Sequence, residues 1–342
     1  MTTSEGGALG LFDRRTALQI GLGFLVAGAV IYLLAVGVGV DRLAGVLAGA
    51  DPVWIALGAA STLACLTAWA RAWQVVLGVL DVEVGLSRLA VTFYAATFAN
   101  YVTPLGQAGG EPFIAYVLSR DTGASYERSL ASVVTADLLN LMPFFTFAGV
   151  GFAALLWESA LPAAARPLAV GLAAMAAGVP VLAAVGWHFR VRLGRLALRL
   201  AAPAERYTGL VSVAGLRDRL RRLNTAFERI AADPRALAHA LVYSYVGWVF
   251  FTLPLVAAAE AVGLTVAPLL VLFVVPASTL AGLVPSPGGL GGVEVALSAL
   301  LVALVGMAGH NAVAVTLLYR VESYWFALVV GGAAALYVIY RN

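Results

Sequence analysis

The sequence predicts an all-α integral membrane protein with about six full transmembrane helices and two Pro/Gly-broken helical hairpins, arranged as inverted-topology repeats. Three observations predict it. Of the 342 residues, 62% are hydrophobic and 11% charged, a balance that a water-soluble domain does not show. Apolar runs of about 20 residues, the length a bilayer demands, recur along the chain. Two apolar regions are interrupted by the same Pro/Gly pattern ending in a glutamate.

Taken in order, residues 1–15 form a short polar tail ending in Asp13-Arg14-Arg15. The apolar run from 16 to 40 is too long for a signal-peptide core and reads as the first span. Further uninterrupted spans are expected at 53–80, 129–157, 167–187, 236–262 and 312–340. The broken regions are 89–119, interrupted by NYVTPLGQAGGEP, and 268–309, interrupted by PSPGGLGGVE. Each reads as a hairpin of two half-helices. This gives a first repeat over 16–157 with its hairpin at 89–119. A second repeat follows over 158–342, with a basic connector at 188–235 and a hairpin at 268–309.

Arginine placement orients the chain, because short cytoplasmic loops collect basic residues. All 21 basic residues are Arg, and eleven of them lie in the connector. If both broken regions cross an even number of times, Arg14, Arg15, Arg71, Arg88, Arg120, Arg128, Arg341 and the connector fall on one side, leaving only Arg42 and Arg166 opposite. The expected location is therefore the cell membrane, multi-pass, with both termini cytoplasmic. In the connector, Leu216, Leu220, Leu223, Phe227 and Ile230 form one apolar stripe among arginines. This pattern suits either a basic amphipathic helix at the interface or a solvated cytoplasmic segment.

The two interruptions match. Thr103-Pro104-Leu105-Gly106-Gln107-Ala108-Gly109-Gly110-Glu111 and Ser286-Pro287-Gly288-Gly289-Leu290-Gly291-Gly292-Val293-Glu294 share [ST]-P-x-G-x-x-G-x-E at an offset of 183. The same offset carries the span at Val53 onto that at Ala236 and the span at Ser129 onto that at Ala312, so that Asp137 meets Arg320. Three crossings separate the copies, which makes them antiparallel across the membrane. Paired broken segments in inverted repeats point to a transporter's substrate site near the midplane. Irregular backbone at that depth needs protein or a wet cavity around it.

The candidate substrate-binding residues are accordingly Glu111, Glu294, Arg320, Asp137, Asn140, Gly109, Gly110, Gly291, Gly292, Pro104, Pro287, Asn100 and Arg71. Glu111 and Glu294 open second half-helices, where a carboxylate also serves simply as a favourable charge in the first turn. Both roles stay open. Arg320 is read either as a phosphate ligand or as the ion-pair partner of Glu294 or Glu322. Asp137 and Asn140 share a helix face, and Arg71 sits near a span end, where it can snorkel.

These stretches carry a resemblance. FANYVTPLGQAGGEPFIAYVLSRDTGASYERSLASVV, followed by VPSPGGLGGVEVALSALL and LLYRVESYW, resembles the lysylphosphatidylglycerol synthase transmembrane-region family, also called the flippase-like or UPF0104 family. The resemblance extends from the first span to the last. It implies a membrane domain that moves a lipid between leaflets. In two-domain members a separate cytosolic domain makes the aminoacylated lipid; no counterpart is expected here, and aminoacyl transfer is not carried over. Family members often have a basic residue after the first GE motif, where this chain has Pro112-Phe113-Ile114, and an Arg near the position of Asp137. Relatives of the stand-alone kind are linked to isoprenoid-phosphate lipids.

The expected function is a flippase moving an anionic phospholipid or a polyprenyl-phosphate-linked lipid by alternating access. The alternative is a membrane-embedded glycosyl- or phospho-transferase acting on a polyprenyl phosphate. No HExxH, GxSxG, Asp-rich diphosphate or nucleotide-loop motif occurs, so no catalytic residue is assigned. The lone Cys65 and the scattered His188, His239 and His310 supply no metal framework. No cofactor and no nucleic-acid partner is expected; the partners are membrane lipids, and homo-oligomerisation stays open.

Overall fold

The computed structural model describes residues 14–103, 111–158, 213–283 and 286–341, together with 178, 181, 185–186, 188–190, 192–196 and 198–199. Among these residues all regular structure is helical. The helices are α1 (Arg14–Val38), α2 (Val40–Ala48), α3 (Pro52–Val79), α4 (Leu86–Val102), α5 (Glu111–Thr122), α6 (Tyr126–Glu158), α7 (Val213–Ala231), α8 (Pro234–Ala261), α9 (Pro268–Leu280), α10 (Gly292–Leu300), α11 (Gly309–Arg320) and α12 (Phe326–Arg341). Single π-helical turns extend α10 over Leu301–Val305 and join α11 to α12 over Val321–Trp325.

Among the described residues six helical runs are long and apolar enough to cross a membrane: Gly21–Val38, Pro52–Val79, Tyr126–Leu155, Pro234–Ala261, Pro287–Val305 and Gly309–Arg341. Five coincide with expected full spans. The sixth comes from the second broken region and reaches span length only when the Pro287–Gly289 turn is counted with α10 and its π turn. The expected span at 167–187 lies almost wholly outside the described residues.

Local signals explain the boundaries. Asp51 caps α3 by accepting the Val53 N–H at 2.8 Å, and Asp233 caps α8 by accepting that of Ala236 at 3.0 Å. Each is followed by proline at the first helical position, where a missing N–H costs nothing. Ser125 caps α6 at Arg128 N–H in the same way. The offset of 183 residues also relates the bounds of elements. Shifting Tyr126–Glu158 by 183 residues gives 309–341, the bounds of the α11–α12 run, and Glu111, the first residue of α5, lands on Glu294 in α10.

The chain divides into two compact units. The first comprises 1–63, 94–110 and 251–337, and the second 64–93, 111–250 and 338–342. In the first unit α1 and α2 pack on α11, where Leu43 of α2 meets Val313 and Ala314. Beside them α9 packs on α10, and a buried Ser298–Thr316 hydrogen bond of 3.0 Å ties α10 to α11. In the second unit α5 and α7 both pack on α6. The connector stripe is thus turned partly onto protein: Ala226 and Ile230 are buried, and Leu216, Leu220, Leu223 and Phe227 half-buried. Leu25, Leu33 and Val329 are exposed, as the lipid-facing side of a span requires.

Candidate functional site

The second break is a compact knot of backbone. Ser286 is extended, Pro287–Gly289 make one tight turn, and Leu290 is extended again before α10 begins. Ser286 Oγ donates to the Leu290 carbonyl at 2.9 Å, closing the loop. Gly289 holds a left-handed φ of 68°, and a Cβ there would lie 2.5 Å from the Gly282 Cα, so two backbones touch where no side chain fits. The Pro287 ring packs against Gly23 of α1, and Leu290 joins Ala27 and Tyr324 in a buried cluster.

Glu294 sits one turn into α10, where its Oε2 accepts the Gly291 N–H at 2.6 Å. This is the carboxylate half of a capping box, and it satisfies one donor at a helix start. Its Oε1 accepts the Arg320 Nε–H at 2.7 Å. Arg320, the last residue of α11, also donates from Nη2 to the Gly288 carbonyl at 3.0 Å, and its guanidinium carbon lies 4.4 Å from the Tyr324 ring centroid. Glu294 is 1% exposed and Arg320 7%. Of the five guanidinium N–H groups, these bonds use two. Arg320 therefore fastens the broken loop to the last membrane run, and among the described residues its other donors are unused.

Arg320 lines a small cavity of about 40 Å³ together with Tyr101, Thr279, Gly288, Ser323 and Tyr324. That volume takes a few waters and excludes a lipid headgroup. Tyr324 closes one wall: its hydroxyl donates to the Tyr101 carbonyl at 3.3 Å and the two rings lie 5.1 Å apart, tilted by 32°.

Glu322 is not the partner of Arg320. It lies in the π turn Val321–Trp325, is fully buried, and neither carboxylate oxygen has a hydrogen-bond partner among the described residues. It packs against Gly58 of α3, where a Cβ would come 1.8 Å from Oε2. π turns inside α-helices concentrate at functional positions. Gly58→Ala is expected to lower stability by about 1–3 kcal/mol through this overlap, and Glu322→Ser in the same chain is expected to restore it. Thermal unfolding in detergent reads both; a Gly58→Ala protein as stable as the unchanged one would show that α3 and the π turn are not in contact.

The remaining predicted site residues divide by unit. Pro287, Gly291, Gly292 and Asn100 belong to the first unit with Glu294 and Arg320, whereas Glu111, Asp137, Asn140 and Arg71 belong to the second. Pro104, Gly109 and Gly110 lie outside the described residues, as does Gln107. Glu111 opens α5, and its carboxylate is an electrostatic neighbour of Asp137 on α6. The first repeat thus sets two acids where the second sets an ion pair. Asn140 buries its Oδ1 without a partner among the described residues. Arg71 donates to Gln74 and lies 5.7 Å from the Tyr243 ring centroid, while Gln74 donates to the Val84 carbonyl at 2.6 Å.

One polar centre was not anticipated. Asp121, near the end of α5, is buried and accepts Thr92 Oγ1–H at 2.5 Å, with Arg88 Nε 3.5 Å away and Arg341 Nη2 bonded to its other oxygen. Outside the spans, Arg229 holds the Asp81 carboxyl below its usual range by hydrogen bond and charge, and hydrogen bonds from Asn224 and Arg190, with the Arg190 charge, lower that of Glu228.

Comparison with known proteins decides the family. The model of the lysylphosphatidylglycerol synthase transmembrane region matches residues 20–331. The chain belongs to that family. Curated relatives include a UPF0104 membrane protein of Methanothermobacter thermautotrophicus, 27% identical with 98% of each chain covered. A UPF0104 membrane protein of Pyrococcus horikoshii is 24% identical, covering 91% of this chain and 95% of its own. The family match spans both breaks, so Glu111, Glu294 and Arg320 all lie within it.

Proposed function

We propose that this family member moves a lipid with an anionic phosphate headgroup, an anionic phospholipid or a polyprenyl-phosphate-linked lipid, between membrane leaflets. The observation that carries the proposal is the Glu294–Arg320 pair, held at a Pro/Gly-broken point within a membrane run. A buried charge in a span is costly and defaults to function. Arg320 has the planar, fixed-charge donor set that suits phosphate, and it is restrained by groups a phosphate can replace, a carboxylate and a carbonyl. The 40 Å³ cavity beside Arg320 is too small for a headgroup. Entry of a headgroup requires Tyr324 and the Pro287–Gly289 turn to separate, which exchanges the internal partners of Arg320 for the phosphate. The lipid tails stay in the bilayer, and alternating exposure of the two breaks completes the passage.

The test is leaflet exchange of labelled phospholipids and short polyprenyl phosphates in vesicles containing the purified protein. Loss of a charge-assisted contact predicts that Arg320→Ala slows exchange roughly ten- to a hundredfold, with Glu294→Gln intermediate. Conversion of lipid to a new product without exchange would replace this reading with a membrane-embedded transferase.

A further inference from the structure

The second unit holds a charged environment built from none of the residues proposed to hold the transported lipid. A cavity of about 500 Å³ lies where the α5–α6 turn and the first turn of α6 meet the polar face of α7. Its charged lining is Glu127, Arg128, Asp218, Arg221, Arg222 and Arg229, four cations against two carboxylates. Three of these arginines are engaged. Arg222 donates to Glu127 at 3.0 Å, Arg229 to Asp81 at 2.8 Å and Arg128 to the Leu80 carbonyl at 3.2 Å. Arg221 is exposed, and its side chain has no partner among the described residues.

Arg221 also lines a second cavity of about 610 Å³, walled mainly by apolar side chains: Val134 and Leu138 of α6, Leu198 of the connector, and Leu223 and Phe227 of α7. Arg190 and Arg195 edge this groove as well, and Arg190 is tied to Glu228 at 3.2 Å. A basic chamber and an apolar groove therefore meet at one arginine whose side chain is unengaged among the described residues. A soluble anion would occupy only the chamber and leave the groove to water. A molecule with a phosphate at one end and a hydrocarbon chain at the other uses both.

We infer that Arg221 marks the headgroup end of a second lipid site, in which an anionic glycerophospholipid lays an acyl chain between α6 and α7 and sets its phosphate against the Arg221 guanidinium. Charge complementarity selects the headgroup, because basic pockets beside membrane helices hold anionic lipids through such contacts. Occupancy here does not depend on translocation and would persist if no lipid crossed. The bound chain would fill the space beside Leu138, which is 44% exposed.

The full chain in detergent is titrated with labelled dioleoyl phosphatidic acid and, separately, dioleoyl phosphatidylcholine, with inorganic phosphate and glycerol phosphate as soluble competitors. Arg221→Gln and Leu138→Trp both alter exposed side chains, and native elution on size exclusion checks that each folds. Arg221→Gln is expected to weaken phosphatidic acid binding roughly fivefold and to leave phosphatidylcholine unchanged. Leu138→Trp is expected to weaken phosphatidic acid binding by filling the groove, and neither soluble phosphate should displace the lipid. The difference made by Arg221→Gln isolates this site from the pocket at Arg320. Unchanged phosphatidic acid binding in Arg221→Gln overturns the inference. Displacement by glycerol phosphate together with indifference to Leu138→Trp overturns it in favour of a free-anion site.

Discussion

Glu294→Ala is expected to cost the fold about 3–5 kcal/mol, because it leaves the Arg320 guanidinium buried without its counter-charge. The loss has two parts. Among the described residues Arg320 keeps its bond to the Gly288 carbonyl and its contact with the Tyr324 ring, and the Gly291 N–H loses its 2.6 Å acceptor, so α10 also loses the restraint on its first turn. Glu294→Gln separates them: an amide oxygen can still accept from Gly291 while the charge is gone, so this variant should fall between Ala and the unchanged chain. The decisive comparison is Glu294→Ala with Arg320→Met. Removing both charges in favour of apolar volume is expected to be less damaging than removing Glu294 alone, since a buried pair contributes little net stability but a broken pair is costly. Thermal unfolding of detergent-purified protein reads all five chains: the unchanged protein, Glu294→Ala, Glu294→Gln, Arg320→Met and the double variant. If the double variant is as unstable as the sum of its singles, the two side chains do not interact as described.

The same pair shows why part of the site was legible in the sequence. Glu294 and Arg320 announce themselves because both are charges inside apolar runs, and the [ST]-P-x-G-x-x-G-x-E pattern occurs twice at one spacing. Asp-Pro at 51–52 and 233–234 likewise fixes helix starts by local chemistry. What required three-dimensional structure was non-local or directional. Glu322 stands two residues from Arg320, a spacing that places side chains on different helix faces, so proximity in sequence did not make a pair. Helix α2 was hidden because the first apolar run ends at Val40, just where Gly39, at φ 92°, turns the chain into a new helix. The connector stripe of α7 is the same pattern whether it meets lipid, water or α6. Asp121 reads as a loop charge in SRDTG, because nothing nearby in sequence says that Thr92, Arg88 and Arg341 converge on it.

That convergence makes Asp121→Ala the second large expected effect, a loss of about 2–3 kcal/mol. The carboxylate is fully buried while its cationic partners are not: Arg88 is 50% exposed and Arg341 28%. Water can therefore solvate both arginines after the change, which sets the estimate below that for Glu294. Among the described residues the buried Thr92 hydroxyl keeps only its weaker bond to the Arg88 carbonyl at 3.2 Å, and Arg88 retains its bond to the Asp121 backbone carbonyl, which substitution leaves in place. The net result is selective loosening rather than collapse of the second unit. Arg341, the last described residue of α12, loses an anchor, so amide exchange over residues 338–341 should accelerate more than exchange in α5 itself. Asp121→Asn preserves the shape and one acceptor oxygen, and is expected to retain Thr92 while releasing Arg341. Equal acceleration across α5 and the end of α12 would show that Asp121 supports its own helix and does not fasten the end of the chain.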